Sequence, residues 1–318
     1  MSDLNALPLP ELFAELNSTG LVRRLLELAR DEDLGPDWEL GDVTSRALVP
    51  GYVRGRANIA FRTPGIVSGL AALEDLLFVF KADVDLTIRI PDGQPARAGG
   101  VAAILEGDMR AILRVERAAL NLLSRLAGIA TRTALFVNAA AQASAGAGVY
   151  DTRKTTPGLR MLEKYAVRCG GGRLHRIGLF DAALIKDNHL AAIGDLPGSG
   201  ADAALVRDVQ SAVRKARAEA PRAGLRFIEL EVDTLAQLDL ILAAGPIGLD
   251  IILLDNMTPD QLREAVRRRD AAASTLELEA SGGVTLETIG AIAATGVERI
   301  STGSLTHAAT SIDIGLDI

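Results

Sequence analysis

The segment FIELEV at 227–232 begins a series of short apolar runs that decides the fold. Each run is followed by a pattern typical of a helix, so that strand and helix alternate at about the length of one β/α unit. The other runs of the series are VYDT (149–152), ALIKDN (183–188), LDIILLD (249–255), LELEAS (276–281) and ERISTGS (298–304). Buried strands alternating with helices predict a parallel sheet, closed into a barrel. A doubly wound open sheet is the alternative, although no G-x-G-x-x-G motif follows these strands.

Helix starts are predicted from residues that favour a first turn, namely Pro157, Thr234, Pro259 and Thr285. The region before the series has a different character. Strand patterns at Val53–Phe61, Val84–Ile90 and Val101–Glu106 surround a helical pattern at Ala71–Phe80, and a long helix is predicted from Met109 to Ala143.

Composition excludes several classes of protein. The 318-residue chain has a net charge of −7 and 3% aromatic residues, which argues against nucleic-acid binding through a basic surface or stacking platforms. No apolar run is long enough to span a bilayer, and the acidic N-terminus does not resemble a signal peptide. Cys169 is the single cysteine, so an internal disulfide and a cysteine-based zinc cluster are excluded. We expect a cytoplasmic protein.

Positive charge is concentrated in one part of this acidic chain. Five Arg, three Lys and two His lie between Arg153 and His189. Cations at the start of a helix oppose its dipole, so DTRKTTPGLR (151–160) is better explained by an anion bound among them. Lys186 ends an apolar strand, where it could form a Schiff base or pair with a carboxylate. Its basic neighbours favour the carboxylate.

Two acids and two small-residue turns complete the set of polar groups at strand ends. Glu231 and Asp255 follow FIEL and IILL, where they could face sugar hydroxyls or magnesium, which prefer hard oxygen ligands. ASGG (280–283) and STGS (301–304) follow the last two strands, where backbone N–H groups often hold a phosphate. In a β/α barrel these strand ends form the active-site rim. The pattern predicts a site for a polycarboxylate and a phosphorylated sugar.

The longest motifs are similar to those of the quinolinate phosphoribosyltransferases. The resemblance covers nearly the whole chain and is carried by DTRKTTPGLR, EKYAVRCGGGRLHRIGLFDAALIKDNH, ELEVDTLAQL, ILLDNM, EASGGV, ISTGSLTH, GDVTS and VERAALNLLSRLAGIAT. It implies an open α/β sandwich domain at residues 1–130, joined by 306–318, and an incomplete parallel β/α barrel at 131–305. It also implies a homodimer with shared active sites, and a higher oligomer is not excluded.

The resemblance also implies roles for individual residues. Residues expected to hold quinolinate are Arg153, His175, Arg176 and Lys186, with Arg117 supplied by the partner subunit. Lys154 is expected near the pyrophosphate, and Glu231 and Asp255 near the ribose and Mg²⁺, directly or through water. The catalytic group would be Lys154, Lys186, Glu231 and Asp255. The phosphate end would be formed by Ser281, Gly282, Gly283, Ser301, Gly303 and His307.

The implied reaction converts quinolinate and phosphoribosyl pyrophosphate to nicotinate mononucleotide, pyrophosphate and CO₂. Two residues depart from the family pattern: Leu174 replaces the usual Asn before the His-Arg pair, and Ala127 replaces the Ser of SGIAT. The segment 191–203 is interpreted as a variable insertion. Alternatives are a molybdenum-operon paralogue acting on another substrate, a Schiff-base aldolase using Lys186, and a binding protein without turnover.

Overall fold

The protein is described from a computed structural model. The structure describes residues 3–35, 37, 41–192, 201–245 and 247–318; for residues 191, 201–203 and 220–223 it describes the backbone alone. Most of the segment interpreted as a variable insertion therefore lies outside the described residues. Within the described part, no helix is both long and apolar enough to cross a membrane.

Helices and strands are numbered here in chain order. The helices are α1 (Leu9–Asn17), α2 (Leu21–Leu34), α3 (Val43–Leu48), α4 (Leu73–Val79), α5 (Met109–Ala143), α6 (Arg160–Cys169), α7 (Asp187–Ala191), α8 (Ala201–Ala223), α9 (Leu235–Ala243), α10 (Pro259–Ala271), α11 (Ile289–Ala293) and α12 (Ser304–His307). The strands are β1 (Arg54–Phe61), β2 (Gly65–Ile66), β3 (Val84–Ile88), β4 (Pro95–Ala96), β5 (Val101–Asp108), β6 (Gly148–Tyr150), β7 (Ala183–Ile185), β8 (Ile228–Val232), β9 (Ile251–Asp255), β10 (Glu277–Ser281), β11 (Arg299–Ser301) and β12 (Ile314–Asp317).

The chain divides into two compact units. The sheet unit contains Phe136–Arg153 and Arg173–Ser304, and the N-terminal unit contains Leu4–Leu135, Lys154–Gly172 and Leu305–Ile318. The segment 154–172 thus groups with N-terminal residues, whereas the predicted boundaries place it with the barrel. The reason is local: Tyr165 donates a hydrogen bond to Asp92 at 2.9 Å, and Arg168 donates to the Leu7 carbonyl at 3.1 Å.

The sheet unit is built on six parallel strands in the order β6-β11-β10-β9-β8-β7. Among the described strands, the two end strands are not paired with each other, so the sheet forms an incomplete barrel. Central strands are buried aliphatic runs such as Ile251–Leu254, as expected where helices cover a parallel sheet. The parallel-sheet prediction is confirmed.

The N-terminal unit holds an antiparallel sheet in the order β12-β1-β5-β3. β1 pairs with β5 on one edge and with the C-terminal β12 on the other, so residues after 306 complete this sheet. Its core includes the buried side chains of Leu26, Phe61, Phe80 and Leu105. The mixed α/β sandwich prediction is confirmed.

Two predicted helix starts are right and two are wrong. Thr234 and Thr258 cap helices α9 and α10 through capping boxes, so those helices begin where predicted. Pro157 does not begin a helix: α6 starts at Arg160, because Gly158 adopts a left-handed φ of 84° that interrupts the turn. The helix predicted from Thr285 starts only at Ile289, after a turn in which the hydroxyls of Thr285 and Thr288 bond backbone amides.

Candidate active site

Strand register brings the predicted polar residues to one edge of the parallel sheet. Ser281 lies opposite both Asp255 and Ser301, and Glu231 lies opposite Leu253, two residues before Asp255. Alternate residues of a strand face the same side, so Glu231, Asp255, Ser281 and Ser301 share one face at the carboxyl ends of their strands. Lys186 directly follows β7, the neighbour of β8. The structure therefore brings these five residues to one sheet edge.

Lys186 and Glu231 form an ion pair at this edge. The Lys186 ammonium donates to Glu231 Oε2, and the two side chains are 40% and 14% exposed, respectively. This contact fits the interpretation of Lys186 as the partner of a carboxylate rather than as the amine of a Schiff base. Asp255 Oδ2 accepts a hydrogen bond from the Asn256 side chain at 2.7 Å. The edge thus offers carboxylate oxygens and one cation to a polar ligand.

Arg153 and Arg176 are close enough to repel each other. Burial lowers the pKa of Arg176, and the positive charge of Arg153 lowers it further. Arg176 is half-buried, and its Nη1 lies 3.5 Å from the Ala182 carbonyl oxygen. Two like charges in a partly dehydrated place are stabilised by a bound anion, and guanidinium groups match carboxylates with two parallel hydrogen bonds.

His175 lies below this edge and faces protein groups. The side chain is 7% exposed, with Nε2 at 2.9 Å from Glu229 Oε2 and 3.4 Å from Glu279 Oε1. Nδ1 lies 2.8 Å from the Arg176 amide nitrogen and can accept its hydrogen bond only while the ring is neutral. Both ring nitrogens thus contact protein groups. The role of His175 in binding quinolinate stays a prediction. Its neighbour Leu174 is buried as well, at 1% exposure.

The surroundings of His175 form a buried layer of charge that sequence reasoning missed. The buried layer consists of His175, Glu229, Glu279 and Arg299. Within it, Arg299 Nε donates a hydrogen bond to Glu279 Oε2 at 2.7 Å. Burial alone would lower the pKa of His175, but the charges of Glu279 and Glu229 outweigh it and raise the pKa to about 9. Burial would raise the pKa of Glu279, yet His175 and Arg299 hold it at about 2. For Glu229, burial and the charge of Glu279 raise the pKa.

A signal for this layer was present in the strand pattern. FIELEV and LELEAS each carry two acids separated by one residue, so both acids of a pair face one side of the sheet. In FIELEV, Glu231 at the strand end can reach a ligand, whereas Glu229, two residues earlier, is buried and needs a cation; Glu279 is the buried acid of LELEAS. The basic residues of the same sheet face, His175 and Arg299, supply it.

The two small-residue turns are held closely against neighbouring residues. Gly282 has a φ of 89°, and a Cβ there would lie 2.2 Å from Asn256 Oδ1, so only glycine fits. The Asn256 amide donates to the Ser281 carbonyl at 2.8 Å. Thr302 Oγ1 donates to the Val284 carbonyl at 3.2 Å, which ties the two turns together. Gly283 is exposed and Gly303 is buried, and their phosphate-binding roles stay predictions.

Three predicted site residues belong to the N-terminal unit. Lys154 and His307 are exposed, and Arg117 is 67% exposed on α5, 3.9 Å from Glu116. Sequence reasoning missed the buried ion pair between Arg125 and Glu163 in this unit. The only sequence signal was an arginine within the apolar helix segment NLLSRLAGIA. Ala127, one of the two departures, is buried in the same segment.

A parallel β/α sheet with cations and acids at its carboxyl edge is typical of enzymes that bind phosphorylated substrates. Family models define the class further. The model for the C-terminal domain of quinolinate phosphoribosyl transferase matches residues 129–317, and the model for the N-terminal domain matches residues 42–127. The chain belongs to the quinolinate phosphoribosyltransferase family.

Individual relatives agree with this assignment. The chain is 43% identical over 279 residues to the carboxylating nicotinate-nucleotide pyrophosphorylase of Mycobacterium leprae, covering 87% of this chain and 91% of the relative. It is 40% identical over 297 residues to the probable enzyme of that name from Bacillus subtilis, covering 93% of each. The solved structure of NadC from Streptococcus pyogenes has a TM-score of 0.79 at 35% identity and covers 93% of this chain and 95% of its own.

Proposed function

We propose that the protein transfers the phosphoribosyl group of phosphoribosyl pyrophosphate to quinolinate, giving nicotinate mononucleotide, pyrophosphate and CO₂ in NAD biosynthesis. The observation that carries the proposal is the pair Arg153 and Arg176, two mutually repelling guanidiniums, on the sheet that presents Lys186, Glu231 and Asp255 at its edge. The names of the relatives favour this reaction over that of a molybdenum-operon paralogue.

Charge complementarity suggests how these side chains act. Pyrophosphate departure leaves positive charge on the ribose C1, which the carboxylates of Glu231 and Asp255 stabilise. Lys154 stabilises the departing pyrophosphate. Arg153, Arg176 and Lys186 bind the two quinolinate carboxylates and so align the pyridine nitrogen with C1, a positioning effect. These cations also favour the carbanion-like charge that forms as CO₂ leaves.

The donor set of Glu231 and Asp255 fits Mg²⁺, because both present carboxylate oxygens at a partly exposed edge. Glu231 already pairs with Lys186, so we propose that the ion is held mainly by Asp255 and by water. A bound magnesium ion would neutralise charge on the pyrophosphate. The residues of the chain would then orient the ribose.

Turnover tests the proposal directly. The purified protein, incubated with quinolinate, phosphoribosyl pyrophosphate and Mg²⁺, should form nicotinate mononucleotide and CO₂ in equal amounts. Nicotinic acid should be used at least about 100-fold less efficiently, because it lacks the second carboxylate that the partly buried cations Arg153, Arg176 and Lys186 are proposed to bind. Comparable kcat/KM for both acids would contradict the dicarboxylate site.

We further propose that the enzyme is a cytoplasmic homodimer whose active sites are shared, with Arg117 supplied by the partner subunit. Two variants, Arg117→Ala and Lys186→Ala, should each be nearly inactive alone. After subunit exchange, half of the dimers are mixed and carry one intact site, so activity should reach about a quarter of wild type. If verified exchange restores no activity, the shared-site proposal is wrong.

A further inference from the structure

A buried ion pair in the N-terminal unit has more hydrogen bonds than helix packing requires. Arg125 of α5 donates to Glu163 Oε1 of α6 from Nε at 3.2 Å and from Nη2 at 2.8 Å. The Glu163 side chain is fully buried and that of Arg125 is 22% exposed. Glu163 also accepts from the amide of Thr156 at 3.1 Å and from its hydroxyl at 2.9 Å. The carboxylate therefore holds the loop that follows Lys154.

The remaining donors of Arg125 bind the backbone on both sides of His307. Nη2 donates to the Thr306 carbonyl at 2.8 Å, and Nη1 donates to the Ala309 carbonyl at 2.8 Å. The Thr306 hydroxyl in turn donates to the Lys154 carbonyl at 2.6 Å. The bonds thus converge on two short backbone segments, one that carries Lys154 and one that carries His307.

We propose that Arg125 and Glu163 are positioning residues that fix the backbone of Lys154 and His307 for binding phosphoribosyl pyrophosphate. This inference rests on the proposed function, which assigns those two residues to the pyrophosphate and phosphate groups of that substrate. The fork of Arg125 reaches three acceptors on two separate segments, which the single ammonium of a lysine cannot do with the same geometry. The buried Glu163 carboxylate fixes the fork in turn.

Three substitutions weaken this network in different ways. Arg125→Lys keeps the charge and loses the fork, Glu163→Gln keeps the shape and loses the charge, and Thr306→Val removes the hydroxyl that binds the Lys154 carbonyl. The matched control is Arg269→Lys. The Arg269 side chain is more buried than that of Arg125, at 10% against 22% exposure, and it bonds Asp270, Glu298 and the Leu276 carbonyl. These partners precede β10 and β11, at the opposite strand ends from Asp255 and Ser281.

Calorimetric titration should separate positioning from general structure. Arg125→Lys and Glu163→Gln should each weaken phosphoribosyl pyrophosphate binding by at least about tenfold, because small displacements of a binding group are costly. Thr306→Val should weaken it by about three- to tenfold, the cost of one hydrogen bond. Quinolinate affinity should change by less than about twofold in all three, and Arg269→Lys should change neither affinity. Equal loss of both affinities would overturn the inference, and so would unchanged binding of phosphoribosyl pyrophosphate.

A double-mutant cycle with Lys154→Ala gives the decisive comparison. If Glu163 acts through Lys154, Glu163→Gln should weaken phosphoribosyl pyrophosphate binding much less in the Lys154→Ala background than in wild type. Full additivity would overturn the assigned path through Lys154. A wild-type protein that binds phosphoribosyl pyrophosphate without turnover would contradict the proposed function alone, since the binding cycle would still decide the inference. Absence of binding to wild type would overturn both.

Discussion

Glu231 and Glu229 stand two residues apart on β8 and face the same side of the sheet, yet their surroundings differ. Glu231 is 14% exposed and pairs with Lys186 at the sheet edge. Glu229 is fully buried and lies 2.9 Å from His175. Two residues along one strand therefore separate an acid that can meet a substrate from an acid that contacts only protein groups.

The same contrast is seen across the sheet. At the edge, Lys186 pairs with Glu231 and both side chains keep some exposure, whereas the buried layer sets two cations against two acids. A neutral buried layer is stable only while complete, because removing one partner leaves an uncompensated charge. We therefore expect edge variants to lose activity and buried-layer variants to lose stability.

The largest effect should follow from Glu279→Gln in the buried layer. The change leaves Arg299 and His175 with one carboxylate fewer, and we expect it to lower the free energy of unfolding by about 3–5 kcal/mol. Urea denaturation measures this quantity. Glu277→Gln is the control: Glu277 is 51% exposed and 3.5 Å from the same arginine, so it should cost less than about 1 kcal/mol. Similar losses in both variants would contradict the contrast between depths.

The matching edge substitution is Glu231→Gln. It should reduce kcat by about 10²–10³-fold, the usual cost of removing one preorganised electrostatic group, and should change the free energy of unfolding little. Asp233→Asn, two residues further on and exposed, should leave kcat close to wild type. An edge variant that unfolds easily but turns over normally when folded would show that Glu231 is structural.

The sequence was sufficient to predict that the strands are parallel and which residues lie at their carboxyl ends, because both depend on local patterns. Apolar runs of fixed spacing specify parallel strands, and polar residues at the ends of those strands must meet at one edge. Thr234 and Thr258 mark helix starts through capping boxes that need only four consecutive residues. The motifs of the family added the substrate roles.

What the sequence did not reveal depends on contacts between distant residues. Glu229 and Glu279 look like any strand acids until register places them around His175. Long-range partners of this kind are invisible to periodicity. The start of α6 was placed too early for a local reason, because Gly158 adopts a left-handed φ that interrupts the turn after Pro157.

A smaller effect is expected from Arg153→Lys, which tests how the edge recognises carboxylates. The variant keeps its positive charge but loses the planar fork, so quinolinate should bind about tenfold more weakly. Phosphoribosyl pyrophosphate affinity should remain within about twofold. Arg173→Lys is the control, because Arg173 is exposed and lies over the Tyr150 ring. If calorimetry shows only the pyrophosphate substrate affected, Arg153 serves the other half of the reaction.

A dependence of stability on pH should also follow from the buried layer. The carboxylates of Glu279 and Glu229 raise the pKa of His175 from 6.5 to about 9, so the folded protein retains a proton that the unfolded chain releases. A raised folded-state pKa gives stability that is complete below pH 6.5 and is lost as pH rises through 9. The slope between these values should be at most about 1.4 kcal/mol per pH unit, the value for one proton. Urea denaturation from pH 6 to 9.5 measures it, and His175→Gln should lower stability at pH 6 and flatten the profile. A wild-type profile as flat as that of the variant would mean that His175 is neutral in the folded protein.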